Sequence, residues 1–230
     1  MREIVFDTET TGLSFPGGDR LVEIGCIELI NRVPTGQYFH AYINPQRAMP
    51  AEAFAVHGLS DAFLRDKPLF GDVVEDLLAF LGESPMIAHN ATFDFSFLNG
   101  ELGRCGRPIC ARERMIDTLA IARTRHPGAK HSLDALCVRY GIDLSQRSLH
   151  GALLDAQLLA QVYVELTGGR QITLGLAVDT PIVRESAAEA PTRVHVRPAR
   201  HFAPSAAELE RHTDFLKTIE EPLWGMAASG

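Results

Sequence analysis

The 230-residue chain contains no apolar run approaching the ~20 residues that a membrane-spanning helix needs, so an integral helical membrane protein is excluded. It shows no signal-type leader. The charged Arg2 and Glu3 run directly into Ile4, Val5 and Phe6, which read as a buried strand. Cysteine is scarce: Cys26, Cys105, Cys110 and Cys137 have no zinc-type pairing, and the expectation is reduced, mostly buried thiols in a cytoplasmic protein. Positive charge is also short, with 22 Lys and Arg against 29 Asp and Glu and a net charge of −7. That argues against a broad duplex-gripping surface, which would be basic, but it leaves open nucleic acid held at an acidic, metal-filled pocket. No internal repeat is evident. A hydrophobic content of 46% is ample for one large domain with an appendage.

The first thirteen residues organise the rest. Asp7 and Glu9 follow the opening strand. Side chains two apart on a strand point to the same face, so both carboxylates leave the sheet together. Like charges held that close favour a cation or a proton between them, and oxygen-only ligands favour Mg²⁺ or Mn²⁺ over zinc. Alone, an Asp-x-Glu of this kind is more often a solvated loop, and its weight depends on what the chain brings to it.

The chain continues with a strand over 20–30, a turn through 31–36 and a third strand over 37–43. A short helix spans 51–57, closed by Gly58. An amphipathic helix over 72–81 presents Val73, Val74, Leu77, Leu78 and Leu81 on one face. Short strands near 85–88 and 115–116 each lead into a helix, over 92–103 and 117–123. Helices over 132–140, with Ser132 as cap, and 152–167 complete the series. This order predicts a mixed α/β sheet covered by helices on both faces. Past Gly169 the prolines at 181, 191, 198 and 204 punctuate an aperiodic stretch, read as a flexible linker. Ser205-Ala-Ala-Glu208 is a capping-box pattern that opens a short helix carrying Leu209, Leu216 and Ile219.

Two further stretches aim at one pocket. Asp94 lies near the first turn of a helix, in His89-Asn-Ala-Thr-Phe-Asp94. His150 precedes a helix that carries Asp155 in its early turns. In sheets of this type sites form where strand ends meet helix starts, so Asp7, Glu9, Asp94 and Asp155 are expected to converge around one or two metal ions with His150 beside them. The ordered set Asp7-x-Glu9, Asp94 within His-Asn-Ala-x-Phe-Asp, and His150-x4-Asp155 resembles the three motifs of the DEDDh 3′–5′ exonucleases over roughly residues 1–168. The resemblance implies a ribonuclease-H-like five-stranded fold and hydrolysis of a phosphodiester by two divalent cations, Mg²⁺ or Mn²⁺. Asp7, Glu9, Asp94 and Asp155 would be ligands and His150 the general base. It further implies substrate contacts at Thr8, Glu9, Val56, His57 and Asn90, the segment Val56-His-Gly-Leu59 resembling the one that abuts the terminal nucleotide. His57 reads equally well as a helix end, and His89 and Asn90 as residues that pin loops.

Directly after the domain, Gln171-Ile-Thr-Leu-Gly-Leu176 resembles a sliding-clamp docking peptide, with Gln171, Leu174 and Leu176 as contacts. The whole tail is similar to that of the epsilon proofreading branch of the family. The implied organisation is an exonuclease domain over 1–170, a clamp motif and linker over 171–204, and a polymerase-binding tail over 205–230. The implied partners are a DNA 3′ end, the alpha subunit of polymerase III, the sliding clamp and a small stabilising subunit, with no membrane. An RNA-trimming DEDDh exonuclease or oligoribonuclease shares the core motifs but has no need of the tail. A haloacid-dehalogenase-type phosphatase would want a second Asp where Glu9 stands, and a catalytically dead binding module would not keep all five motif residues.

Overall fold

The computed structural model describes residues 1–145, 147, 149–168 and 203–219. They fall into two units, one up to residue 168 and one over 203–219, each described by itself. In the first unit β1 (Arg2–Thr10), β2 (Leu21–Ile30) and β3 (Val33–Tyr42) form an antiparallel meander. The short β4 (Met86–Ala88) and β5 (Met115–Asp117) add in parallel on the other side of β1, giving the order β3-β2-β1-β4-β5. Helices α1 (Ala51–His57), α2 (Asp61–Leu64), α3 (Phe70–Leu81), α4 (Thr92–Arg104), α5 (Thr118–Arg125), α6 (Leu133–Tyr140) and α7 (Ala152–Leu166) complete it. This is the mixed, helix-covered sheet that the strand order predicts.

Alternation along β1 builds a core on each face of the sheet. Ile4 and Phe6 join Ile24, Cys26, Met86 and the apolar sides of α3 and α4. Val5 joins Ile27, Leu29, Ile87 and the apolar sides of α5, α6 and α7. Burial of Phe70, Val74, Leu77 and Leu81 in α3 follows its 3.6-residue period. Glu3 is buried on the α7 side of the sheet, where it accepts a 2.7 Å hydrogen bond from the Tyr163 hydroxyl. The face carrying Glu3, Val5, Asp7 and Glu9 is therefore the one that meets α7.

The helices begin where the sequence supplies caps. Ser132 accepts from the Ala135 N–H and Asp117 from the Leu119 N–H, while Gly58 and Gly141 end α1 and α6 in the left-handed conformation. Three differences from expectation have local causes. β3 starts at Val33, not Gln37, because Asn31 and Arg32 both take positive φ and make a two-residue hairpin turn. Asp7 and Glu9 lie within β1, which runs on to Thr10. The short α2 was not anticipated; its Ser60 cap, which accepts from the Phe63 N–H, accounts for it. Cys26, Cys110 and Cys137 are buried and Cys105 half-buried, all as free thiols.

In the second unit, α8 (Ala206–Leu216) starts with the expected capping box: Ser205 accepts from the Glu208 N–H and Glu208 accepts from the Ser205 N–H. Its Leu209 and Phe215 are exposed. Residues 171–202, with the expected clamp contacts Gln171, Leu174 and Leu176, and residues 220–230 lie outside the described residues. No helix among the described residues is long and apolar enough to cross a membrane.

Candidate active site

A cavity of about 270 Å³ opens where β1, α4, α6 and α7 meet, lined by Asp7, Thr8, Glu9, His89, Phe93, Asp94, Ser132, Leu133, Asp134, Arg147, His150 and Asp155. The four carboxylates arrive from three elements. Asp7 and Glu9 hang from the α7-facing side of β1, and Asp155 meets them from the first turn of α7. That meeting depends on Gly25 of β2. A Cβ there would lie 2.4 Å from both the Cα and the backbone N of Leu153, two residues before Asp155. Asp94 comes from α4 in the opposite layer. The even-numbered face of β1 looks that way, and Thr8 Oγ1 donates to Asp94 Oδ1 at 2.7 Å with both groups buried. Thr8 thus gives its hydroxyl proton to a neighbouring carboxylate while it also lines the cavity.

The electrostatics are those of crowded acids. Burial first, then the charges of Asp94, Glu9 and Asp155, push the Asp7 carboxyl well above its usual range. Burial, then Glu23 and Asp155, lift Glu9 to about 8. Burial also lifts Asp94 to about 7 against the opposing hydrogen bond from Thr8. Asp7, Glu9 and Asp94 therefore favour their protonated forms more than ordinary carboxyls do, and a bound cation would offset that. Ligand atoms of Glu9, His150 and Asp155 lie within 4.8 Å of one another. Glu9 and Asp155 are buried and His150 is exposed, and an oxygen-rich set of this kind fits a hard divalent cation.

Arg147 crosses the cavity. Its Nε donates to Asp155 Oδ1 and its Nη2 to Asp155 Oδ2, each at 2.6 Å, while Nη1 donates to Asp134. Nη2 also stands 2.7 Å from His150 Nδ1, and His150 Nδ1 stands 3.2 Å from Asp155 Oδ2. Sequence reasoning missed Arg147, Phe93 and Leu133 as cavity residues. Arg147 lies three residues before His150 in a loop without periodicity, and a basic residue near a motif His was the only signal available.

The remaining candidates line up differently. Val56 and His57 do not line the cavity but lie against its rim: the His150 N–H donates to Val56 O at 3.3 Å. His57 is buried. Its Nδ1 accepts from the Leu59 N–H at 3.0 Å, and its Nε2 has no hydrogen-bond partner among the described residues. Asn90 is exposed and outside the lining, in the left-handed conformation, with its N–H given to Asp117 Oδ1 at 3.0 Å. His89 lines the cavity and shares a 2.9 Å hydrogen bond with Thr118 Oγ1.

Fold and site together have the form of a nuclease of the ribonuclease-H-like class, with carboxylates clustered in its cavity. The chain belongs to the exonuclease family RNase_T, whose model matches residues 4–163, and members of this family use divalent metal ions. Among characterised proteins it is similar to DNA polymerase III subunit epsilon of Rickettsia prowazekii, 47% identical over 222 residues, covering 95% of this chain and 97% of that protein. DNA polymerase III subunit epsilon of Salmonella typhimurium is 44% identical over 230 residues, covering 96% of this chain and 94% of that protein. Among solved structures, exonuclease X in complex with 5′-overhanging duplex DNA matches with a TM-score of 0.55 and 28% identity, over 72% of this chain and 90% of that one. The nuclease domain of 3′hExo, a DEDDh family member bound to rAMP, shares the fold at a TM-score of 0.62 and 16% identity, over 72% of this chain and 91% of that one.

Proposed function

We propose that this protein is the 3′–5′ proofreading exonuclease of a bacterial DNA polymerase III, removing mispaired nucleotides from DNA 3′ ends in the cytoplasm. The observation that carries the reading is the meeting of Asp7, Glu9, Asp94 and Asp155, from three separate elements, beside His150 in one cavity. The names of its relatives support the replicative setting, and their likeness extends over 95% of the chain, past the nuclease unit and into the tail.

The four carboxylates would hold two divalent cations, Mg²⁺ or Mn²⁺, which when bound lower the pKa of water and neutralise charge on a phosphodiester. The chain's own residues do the rest. Thr8 fixes the rotamer of Asp94. His150, at the cavity edge, takes the proton of the attacking water at a ring nitrogen, a role that suits imidazole near neutral pH. As water oxygen joins phosphorus, the bond to the 3′ oxygen of the preceding nucleotide breaks, releasing a nucleoside 5′-monophosphate. Phe93 and Leu133 give the cavity apolar walls against which a frayed terminal base can stack. Val56 and His57, beside His150, supply the rim of the nucleotide site.

Residues 1–170 form the exonuclease domain, 171–204 a clamp-binding motif and linker, and 205–230 a tail that binds the polymerase alpha subunit. The sliding clamp and a small stabilising subunit complete the set of partners. The exposed Leu209 and Phe215 on a well-capped α8 support that assignment for the tail.

The test is hydrolysis of 5′-labelled primers, matched and mispaired at the 3′ end, with chelator and then with added Mg²⁺ or Mn²⁺. The mispaired end is cut faster, because unpairing it costs less. Equal rates on the two ends would remove the proofreading assignment, and failure of added cation to restore cleavage would remove the nuclease assignment with it.

A further inference from the structure

We propose that Arg147 is a built-in competitor of the metal ions: in the metal-free protein its guanidinium holds Asp155 and His150 in a disarmed pairing, and cation binding evicts it. The inference rests on the proposed metal site. It starts from the arrangement of donors. A guanidinium offers five N–H donors and no acceptor, in a planar fork that matches a carboxylate. Arg147 places that fork on both oxygens of Asp155 at 2.6 Å, with its own side chain only 9% exposed. Each oxygen thus gives one of its two lone pairs to a hydrogen-bond donor, and the positive fork stands where a hard cation would approach the carboxylate.

The same side chain ties up the base. Arg147 Nη2 stands 2.7 Å from His150 Nδ1, and since the guanidinium can only donate, Nδ1 is the acceptor. A neutral imidazole with Nδ1 accepting carries its proton on Nε2. It then has no free lone pair with which to take a proton from water. Removal of Arg147 frees Nδ1, which lies 3.2 Å from Asp155 Oδ2; a ring nitrogen of His150 and ligand atoms of Glu9 and Asp155 lie within 4.8 Å of one another. One side chain therefore masks a metal ligand and the general base together, and one displacement releases both.

Asp134 gives the displaced arginine somewhere to go. It lies on α6 at the mouth of the cavity, its side chain is 58% exposed, and Arg147 Nη1 already donates to it. Arg147 can let go of Asp155 and keep this outer partner, so eviction leaves no buried, unpaired guanidinium.

The experiment uses the full chain, stripped with chelator and then titrated with Mg²⁺. Arginine Nε–H signals are followed by NMR, and heats of binding by calorimetry. In the metal-free protein the Arg147 Nε–H is protected from exchange, and protection is lost with the same midpoint as the heat of binding. R147Q binds Mg²⁺ roughly tenfold or more tightly than wild type, as expected when a charged hydrogen-bonded competitor is removed. R147K keeps the charge but not the fork, and shifts in the same direction; wild-type affinity in R147K would reduce the effect to long-range charge and overturn the competitor role. D134N, lacking the outer partner, binds Mg²⁺ more weakly. If R147Q is poorly folded by circular dichroism, the NMR titration of the wild type decides. An Arg147 signal that stays protected in the Mg²⁺-saturated protein would overturn this inference while the metal site stands; the absence of any binding heat, in wild type and variants alike, would overturn both.

Discussion

Thr8 and Asp94, each a candidate from the sequence, are joined in the structure by a contact that the sequence does not show. Asp94 is buried among acids, and Thr8 is the side chain that donates to it. Thr8→Val removes that donor and leaves a buried carboxylate short of a partner, at a cost of about 1–3 kcal/mol. The expected outcome is a lower melting temperature and slower hydrolysis, checked by calorimetry and a primer-cleavage assay. Asp7→Ala should keep the fold and lose activity by orders of magnitude; full turnover by this variant would dismiss the assigned site. The acids also set a pH dependence. Glu9 and Asp94 titrate near 8 and 7 in the folded chain, against ordinary values of 4.5 and 3.8. Groups raised in this way stabilise the fold below their ordinary range, and that stability is lost as pH rises through 7 and 8. Melting temperature in chelator is therefore expected to fall from pH 5 to pH 9, and Mg²⁺ to flatten the fall. A chelated protein that gains stability over this interval contradicts the crowded-acid picture. At this scale Asp7, Glu9, Asp94, His150 and Asp155 were legible because strand parity and helix starts bring them together and their ordered spacing resembles the DEDDh motifs. Arg147 and the Thr8 contact were not, since each depends on which element lies across the cavity.

The decisive contact between elements is that of α7 with β2. Leu153 of α7 approaches so closely that only glycine fits at position 25. Gly25→Ala would push backbone against backbone, with α7 forced to retreat and Asp155 carried with it. We expect at least the ~1–3 kcal/mol typical of overpacking, with a loss of cleavage larger than the loss of stability. Thermal melts compared with cleavage rates provide the check; an active, stable variant would mean that α7 has slack. Most element boundaries were legible because apolar periodicity and caps agree, as in α3 and α6. The start of β3 was not. Asn31-Arg32 lacks the glycine that marks such a turn, and Arg32 takes a left-handed backbone while its Nη1 donates across to Thr167 O at 2.9 Å. Pro34 and Thr35, which look like turn residues in sequence, are paired to β2 or follow directly on that pairing.

Across the whole molecule, the proposed function assigns nuclease and tail separable duties. Deleting residues 177–230 is expected to leave hydrolysis of free single strands nearly intact and to remove binding to the polymerase alpha subunit. Changing Gln171, Leu174 and Leu176 together should weaken clamp binding instead. Calorimetry with isolated polymerase and clamp checks both, and unchanged heats after truncation would detach the tail from replication. A last consequence concerns synthesis. β1 is made first and α7 last within the nuclease unit, yet the cavity needs Asp7 and Asp155, which are 148 positions apart in the chain (155 − 7). A chain still on the ribosome exposes Asp7 and Glu9 long before Asp155 exists, and parallel pairing of β1 with β4 must itself await some eighty residues of translation. Nascent and prematurely terminated products are for that reason expected to lack nuclease activity, which a cleavage assay on chains truncated before residue 155 would check.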